Sequence, residues 1–442
     1  MSVWRRNSHR QPPLSRRGSG RRFIHRENGA AASGLAAVLD LGTSRVSCWI
    51  GDAAGVLGCG EVSSEGVRAG EIADVRAASR CVRAAVEEAE RQSGLLVQGV
   101  CAAVSGASVE GWVSGGAVPI LNETQEIGAR DVAWALSLAE TQVRFRTASS
   151  HLRTATSIAP GRSAEGARLH VFPRRYWVDG RGPVRDPVGL SGALLQAEVV
   201  VVGASAFALE NLSRVVRMAG VRLQGAVAGP VASGFGALSE EERELGALVI
   251  DIGAGTTSYS VWTGGTLGAC GCICLGGERV TLDIAAGLGI SRESAEGLKR
   301  ALKPGPADEC LLASSLGGLG PRSFARRELA EIVEARVEEI MRLVLARMGA
   351  FDLRELGAGV VLAGGAARGE ETLSVARAVF GVNARPARMG AAELPGPENA
   401  VAAGLLALST AGAGNPAPDG LGGVHVRRST LKRAWEWLAA GF

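Results

Sequence analysis

Leu245-Gly246-Ala247-Leu248-Val249-Ile250-Asp251-Ile252-Gly253-Ala254-Gly255-Thr256-Thr257 is the stretch on which the fold turns. Leu245–Ile252 reads as a strand with an acid at its end, followed by glycines and then hydroxyls. Glycine lets the backbone approach a phosphate closely and adopt positive φ. Amide N–H groups and hydroxyls can then bind the phosphate oxygens. The aspartate suits a hydrated Mg²⁺, which is held by one or two carboxylates together with waters and phosphates.

The same grammar occurs about 210 residues earlier, in Asp40-Leu41-Gly42-Thr43-Ser44-Arg45. Alone, each turn fits a merely structural strand end. As a pair they point to two duplicated halves around one nucleotide. A third turn, Leu362-Ala363-Gly364-Gly365-Ala366, lacks an acid and suits close packing against a nucleoside. Between the turns, strand-like and helical runs alternate: a helix over Asp74–Ser93, strands at Val97–Val104 and Leu169–Val178, and a long amphipathic helix over Arg326–Met348. The class is therefore α/β. No Gly-x-x-x-x-Gly-Lys-Ser/Thr occurs, which argues against a P-loop NTPase.

The chain has 442 residues and a net charge of +4, unevenly spread. Residues 1–33 carry +7, the last sixteen +3, and the body between them −6. The Arg-rich tail lacks apolar periodicity, which predicts disorder, and lacks the h-region of a secretory signal. No run reaches the ~18 apolar residues of a membrane span. Eight irregularly spaced cysteines make no disulfide framework, so a cytoplasmic setting is expected. Cys270, Cys272 and Cys274 alternate on one face of a strand and read as buried small hydrophobes.

These turns resemble those of the actin/Hsp70/hexokinase ATPase superfamily, and within it the FtsA family of bacterial cell-division proteins. The resemblance also rests on the Gly276-Gly277-Glu278-Arg279 to Lys299 block and on Tyr176-x-Val178-Asp179-Gly180 followed by Asp186-Pro187-Val188-Gly189-Leu190-Ser191-Gly192. Glu241-Glu242-Arg243-Glu244-Leu245-Gly246 and Pro321-Arg322-Ser323 match too. It implies an actin-like ATPase fold: two duplicated halves, a nucleotide cleft between them and an inserted small subdomain. The implied division is a basic tail (1–33), a first half (34–96 and 180–228) interrupted by the insertion (97–179), and a second half (229–276 and 351–410). A lobe that binds FtsZ (277–350) interrupts the second half, and a flexible linker (411–426) and an amphipathic helix (427–442) follow it.

By the same resemblance, ATP and Mg²⁺ would lie among Asp40, Gly42, Thr43, Ser44, Arg45, Asp251, Gly253, Gly255, Thr256 and Thr257. The two aspartates would hold the metal through water. Gly277, Glu278, Lys299, Gly364 and Gly365 would surround adenosine. Arg322, Arg326 and Arg327 are candidate contacts for the acidic FtsZ tail. The family assembles into actin-like polymers on the cytoplasmic face of the inner membrane at the division site and helps recruit later division proteins. One departure stands out: where many of the superfamily carry Glu-Pro before the second phosphate strand, this chain has Gly229-Pro230. Without an acid to orient water, slow or no hydrolysis is expected.

From Leu431, helical steps place Trp435, Leu438 and Phe442 in one stripe; Arg427 and Arg428 precede it, while Lys432, Arg433 and Glu436 turn away. Bulky apolar residues on one side and cations on the other describe an interfacial anchor on anionic lipid. The competing readings are a small-molecule kinase and a pilus-assembly actin homologue. Neither accounts for this tail, and no specific nucleic-acid partner is expected.

Overall fold

A computed structural model describes residues 22–24, 34–52, 54–143, 166–302, 305–314, 320–388 and 396–410. The 411–426 linker, the 427–442 helix and nearly all of the 142–166 loop lie outside the described residues, as does the 1–33 tail apart from Arg22–Ile24.

One five-stranded unit is built twice. In the first, the order across the sheet is Gly55–Ser63, Arg45–Asp52, Ala36–Leu41, Gly99–Val104, Arg222–Ala228; in the second it is Thr266–Ile273, Thr257–Thr263, Ala247–Ile252, Gly359–Ala363, Ala384–Pro386. Each unit begins as an antiparallel meander of three strands and ends with two strands added in parallel. Parallel addition needs a crossover. The helix Val75–Ser93 supplies the first, started by Asp74, whose side chain accepts from the amides of Arg76 and Ala77, and stopped by Gly94 in the left-handed region. The second crossover is the whole lobe: helices Gly277–Leu288, Arg292–Ala301 and Arg326–Arg347 with the hairpin Cys310–Ser314 and Pro321–Ala325. It shares its core with the second sheet, with Val280, Ile284, Leu329 and Val333 packed under Leu248 and Ile250.

The insertion starts later than the sequence predicts. Gly99–Val104 is the fourth strand of the first sheet, pairing in parallel with both Ala36–Leu41 and Arg222–Ala228. A strand buried on both faces reads as a continuous apolar run whichever sheet it joins, so its sequence does not reveal its allegiance. The inserted lobe comprises Glu110–Pro119, Ala129–Thr141, Gly166–Val178, Arg181–Val184 and Leu194–Ser205 around its own core. Its antiparallel strands extend the second sheet through the bridge Gly271–Glu110, giving nine strands among the described residues. A further correction concerns the basic tail: Arg22–Ile24 forms a strand parallel to Leu95–Val97, whose backbone groups it pairs. Cys270 and Cys272 are buried in their strand, whereas Cys274 lies beyond its end and is exposed.

Each unit's fifth strand leads to a helix, directly in the first unit (Gly229–Ala237) and after a loop in the second (Ala400–Thr410). The two helices pack on each other. A β-carbon on Gly236 would overlap the carbonyl oxygen of Ala400, and one on Gly404 would overlap that of Ala232. The backbones therefore touch with no side chain between them. Around this crossing, Trp262 packs edge-on against Phe235 of the first helix (5.2 Å) and Phe172 of the insertion (6.1 Å), each such pair contributing about 0.5–1.5 kcal/mol beyond burial. Gly404→Ala is expected to lower stability in denaturant titration by about 1–3 kcal/mol. Gly297→Ala, on an exposed helix face with nothing within 4 Å, is expected to raise it by about 0.5–1 kcal/mol. Equal effects at the two sites would contradict this packing.

Candidate functional site

The duplicated strands Ala36–Leu41 and Ala247–Ile252 end in equivalent turns. In each, the glycine after the aspartate-bearing strand end closes the turn: Gly42 N–H donates to the Arg45 carbonyl and Gly253 N–H to the Thr256 carbonyl, both at 2.9 Å. The turns face each other at contact distance, since a β-carbon on Gly255 would lie 2.5 Å from Thr43 Oγ1. Asp40 and Asp251 are half-buried at the cleft, and neither has a hydrogen-bond partner or an ion pair among the described residues. Burial pushes Asp40 up to about 6, opposed by Arg45. Burial, then the charge of Asp40, pushes Asp251 up to about 7. Two carboxylates that lose hydration without gaining a cationic partner are a donor set for a divalent cation, whose charge would restore their ordinary acidity. The oxygen-only chemistry fits a hydrated Mg²⁺.

The third turn completes the wall. Gly364 takes φ +82, and a β-carbon there would lie 2.6 Å from Asp251 Oδ1, so only glycine fits. Gly364 N–H donates to the Pro397 carbonyl at 2.9 Å, while Gly365 is exposed with open space beside it.

Several residues read from the sequence as ligand contacts also have partners within the chain. The Arg45 guanidinium pairs with Glu61 at 2.9 Å and donates to the Glu398 carbonyl (3.0 Å) and Asn399 Oδ1 (2.8 Å); it ties the first turn to the second half. Thr257 is fully buried and its hydroxyl donates to the Leu275 carbonyl at 2.8 Å. Ser44 is exposed at the turn. Gly277, Glu278 and Lys299 do come together. The amides of Gly277 and Glu278 donate back to the Gly253 and Ala254 carbonyls, at 2.9 and 2.8 Å, docking the helix start on the second turn. The Lys299 ammonium donates to the Gly277 carbonyl (2.9 Å), Thr281 Oγ1 (2.7 Å) and Glu296 (2.6 Å). Although burial pushes Glu296 up, the donors Lys299, Thr281 and Arg300 hold it down at about 2. The Glu278 carboxylate pairs with Arg292.

In the lobe, the Arg326 guanidinium is committed within the fold: it pairs with Glu371 at 2.7 Å, 11% and 9% exposed, which leaves little of it for a partner chain. Arg322 and Arg327 are exposed. Arg322 lies over Phe324 and caps the Leu288 carbonyl at 3.1 Å, and Arg327 pairs loosely with Asp308 at 3.5 Å.

Sequence reasoning missed the hairpin Val67–Arg68 and Glu71–Ile72. Its tip enters the cleft. Gly70 N–H donates to Thr43 Oγ1 at 3.3 Å, a β-carbon on Gly70 would lie 3.1 Å from Thr256 Cγ2, and Ala69 is held at φ +47. The spaced glycines at 66 and 70 were the available signal. Also missed was His170 of the insertion, whose Nε2 accepts from the Ala228 amide at 3.0 Å just before the first crossing helix; burial holds it down at about 4.

Comparison with known proteins decides the family. Residues 248–404 match the sequence profile of "Cell division protein FtsA", and residues 106–203 match that of "SHS2 domain inserted in FTSA". The chain is 31% identical to the cell division protein FtsA of Bacillus subtilis over 377 residues, 83% of this chain and 82% of that one. The chain belongs to the FtsA family. Within that family it is also 32% identical to the Escherichia coli K12 protein (78% of this chain, 82% of that one) and 32% identical to the Rhizobium meliloti protein over 446 residues (93% and 95%). Solved structures share the actin-like fold. The PilM-PilN type IV pilus biogenesis complex aligns with a TM-score of 0.55 at 19% identity, covering 85% of this chain and 98% of that one. MreB5 of Spiroplasma citri bound to ADP aligns at 0.51 and 14%, covering 95% and 99%.

The raised carboxylates predict a pH signature. A carboxyl that protonates more readily folded than unfolded stabilises the fold at low pH and loses that contribution as pH rises through its folded value. The ligand-free chain should therefore lose stability from about pH 4 to about pH 7. Asp251→Asn should flatten this slope and raise the melting temperature at pH 7.5 by thermal-shift measurement; an unchanged profile would contradict uncompensated burial.

Proposed function

We propose that this chain is an ATP-binding, actin-like division protein that tethers FtsZ filaments to the inner membrane. The observation that carries the reading is the pair of equivalent turns bringing Asp40 and Asp251 to one cleft in a chain of the FtsA family. MreB5, a fold neighbour, has been solved with ADP and with AMPPNP, which supports a nucleotide here.

In this reading the amides and hydroxyls of Gly42, Thr43, Ser44, Gly253, Gly255 and Thr256 meet the phosphates, and Asp40 and Asp251 hold Mg²⁺ through water. Gly277, Glu278, the stem of Lys299, Gly364 and Gly365 flank adenosine. When bound, Mg²⁺ would offset phosphate charge. Turnover is slow or absent, because Gly229 supplies no carboxylate and a β-carbon there would lie 2.6 Å from Ser105 Oγ. Nucleotide binding favours polymerisation, the exposed Arg322 and Arg327 receive the acidic tail of FtsZ, and residues 427–442 lie on anionic lipid at the cytoplasmic face of the division site, where later division proteins are recruited.

Pelleting with anionic vesicles and FtsZ tests the tether. The full chain should carry FtsZ into the pellet, and a 1–426 truncation should leave it in the supernatant. Arg322→Glu with Arg327→Glu should weaken FtsZ recruitment about tenfold while leaving vesicle binding intact. Recruitment of FtsZ to vesicles without residues 427–442, or ATP turnover faster than about 1 per second, would contradict the reading.

A further inference from the structure

Residues 396–399 are held from both sides of the cleft. Gly364, which follows the strand Gly359–Ala363 of the second sheet, donates its N–H to the Pro397 carbonyl at 2.9 Å. Arg368, at the end of the same turn, grips the Glu398 carboxylate with two bonds, of 3.0 and 2.5 Å. From the first unit, Arg45 reaches the same segment. It donates to the Glu398 carbonyl at 3.0 Å and to Asn399 Oδ1 at 2.8 Å. The third glycine turn and the first phosphate turn therefore share one connector, Pro397–Asn399.

This connector is stiff and lies where the cleft would flex. Gly396 takes φ +72, and a β-carbon there would overlap the Arg368 guanidinium and the Glu398 carboxylate. Asn399 is buried, an environment in which a hydrogen bond is stronger than in water. Glu61, on the strand beside Arg45, pairs with the guanidinium at 2.9 Å and holds its fork in place. The connector runs straight into the helix Ala400–Thr410, which is buried in the core of the first sheet. The chain thus passes from the second unit to the first here, and such element-terminal residues absorb the change when two units open. The charge on Arg45 acts on Asp40 and Asp251 alike, so it stands close to both phosphate turns.

We infer that Arg45 is a positioning residue for nucleotide: by holding the Glu398 carbonyl and Asn399, it locks the connector and fixes the spacing between the third glycine turn and the first phosphate turn. This rests on the nucleotide reading of the cleft and adds to it a control over exchange. A ligand that spans phosphate and nucleoside sites needs that spacing, whereas one that touches the phosphate turns alone does not. A spanning ligand leaves when the cleft opens, so the lock acts on release more than on association.

Stopped-flow chase of N-methylanthraniloyl-ATP, bound with Mg²⁺ to the full-length chain, tests the inference. Arg45→Gln and Asn399→Ala should each speed release about tenfold, the scale of one lost hydrogen bond to a charged group. Association should change by less than about twofold. The double variant should release at about the rate of the faster single, because both substitutions break one contact. Glu61→Gln, at an exposed carboxylate, should speed release about threefold and serves as the deciding variant where Asn399→Ala fails to fold. Magnesium pyrophosphate, titrated calorimetrically, should bind Asn399→Ala and Glu61→Gln as it binds the parent chain. Release at the parent rate from Asn399→Ala, or from Glu61→Gln in its place, overturns the inference and leaves the nucleotide reading standing. Loss of pyrophosphate binding in Arg45→Gln, with release from Asn399→Ala unchanged, makes Arg45 a direct phosphate contact and also overturns it. A parent chain that binds no magnesium nucleotide overturns the nucleotide reading itself, and the lock with it.

Discussion

The crossing of Gly229–Ala237 and Ala400–Thr410 is the contact on which the rest of the molecule hangs. Each helix follows the last strand of one unit and packs on the sheet of the other: Trp262 of the second sheet meets Gly234 and Phe235, and Leu406 approaches Gly51 of the first. With glycine at 236 and 404, backbone meets backbone, and the separation of the two sheets follows from atomic radii and not from rotamers. That separation carries the equivalent strand ends, with Asp40 on one and Asp251 on the other, to facing sides of one cleft. The insertion is tied to the same hub by His170 on the Ala228 amide and by Phe172 on Trp262.

The cleft's electrostatics follow from what surrounds the aspartates. Arg45, the cation that acts on both, is engaged by Glu61, Glu398 and Asn399, and Lys299 is committed to Gly277, Thr281 and Glu296. Positive charge therefore stitches elements together and does not line the floor. What remains for a bound anion is amides and hydroxyls, and what remains for a cation is two carboxylates short of charge. In the proposed reading this division would let a body of net charge −6 accept a phosphate chain, which would arrive with its metal.

Much of this was legible because the decisive residues are local. An acid, a glycine and a hydroxyl after a strand make the same turn twice, and Gly359–Ala363 falls where its apolar run places it. What the sequence hid is long-range. Val100 to Val104 are apolar in either sheet, so the edge of the insertion could not be placed. Arg326 opens a helix, as an exposed residue would, and only the fold brings Glu371 beneath it. Arg45 sits inside the turn motif, and two of its partners, Glu398 and Asn399, lie more than 350 residues away. Gly236 and Gly404 are two glycines among 62, and their role exists only once two helices meet.

The central claim is that both turns serve one nucleotide with its metal. Calorimetric titration of Mg-ATP into the parent chain, Asp40→Asn, Asp251→Asn and the double variant tests it directly. One nucleotide per chain is expected, with each single substitution weakening binding at least tenfold and the double variant losing less than the two singles combined, because the carboxylates share one metal. Undiminished binding in the double variant, or two independent sites per chain, would contradict it.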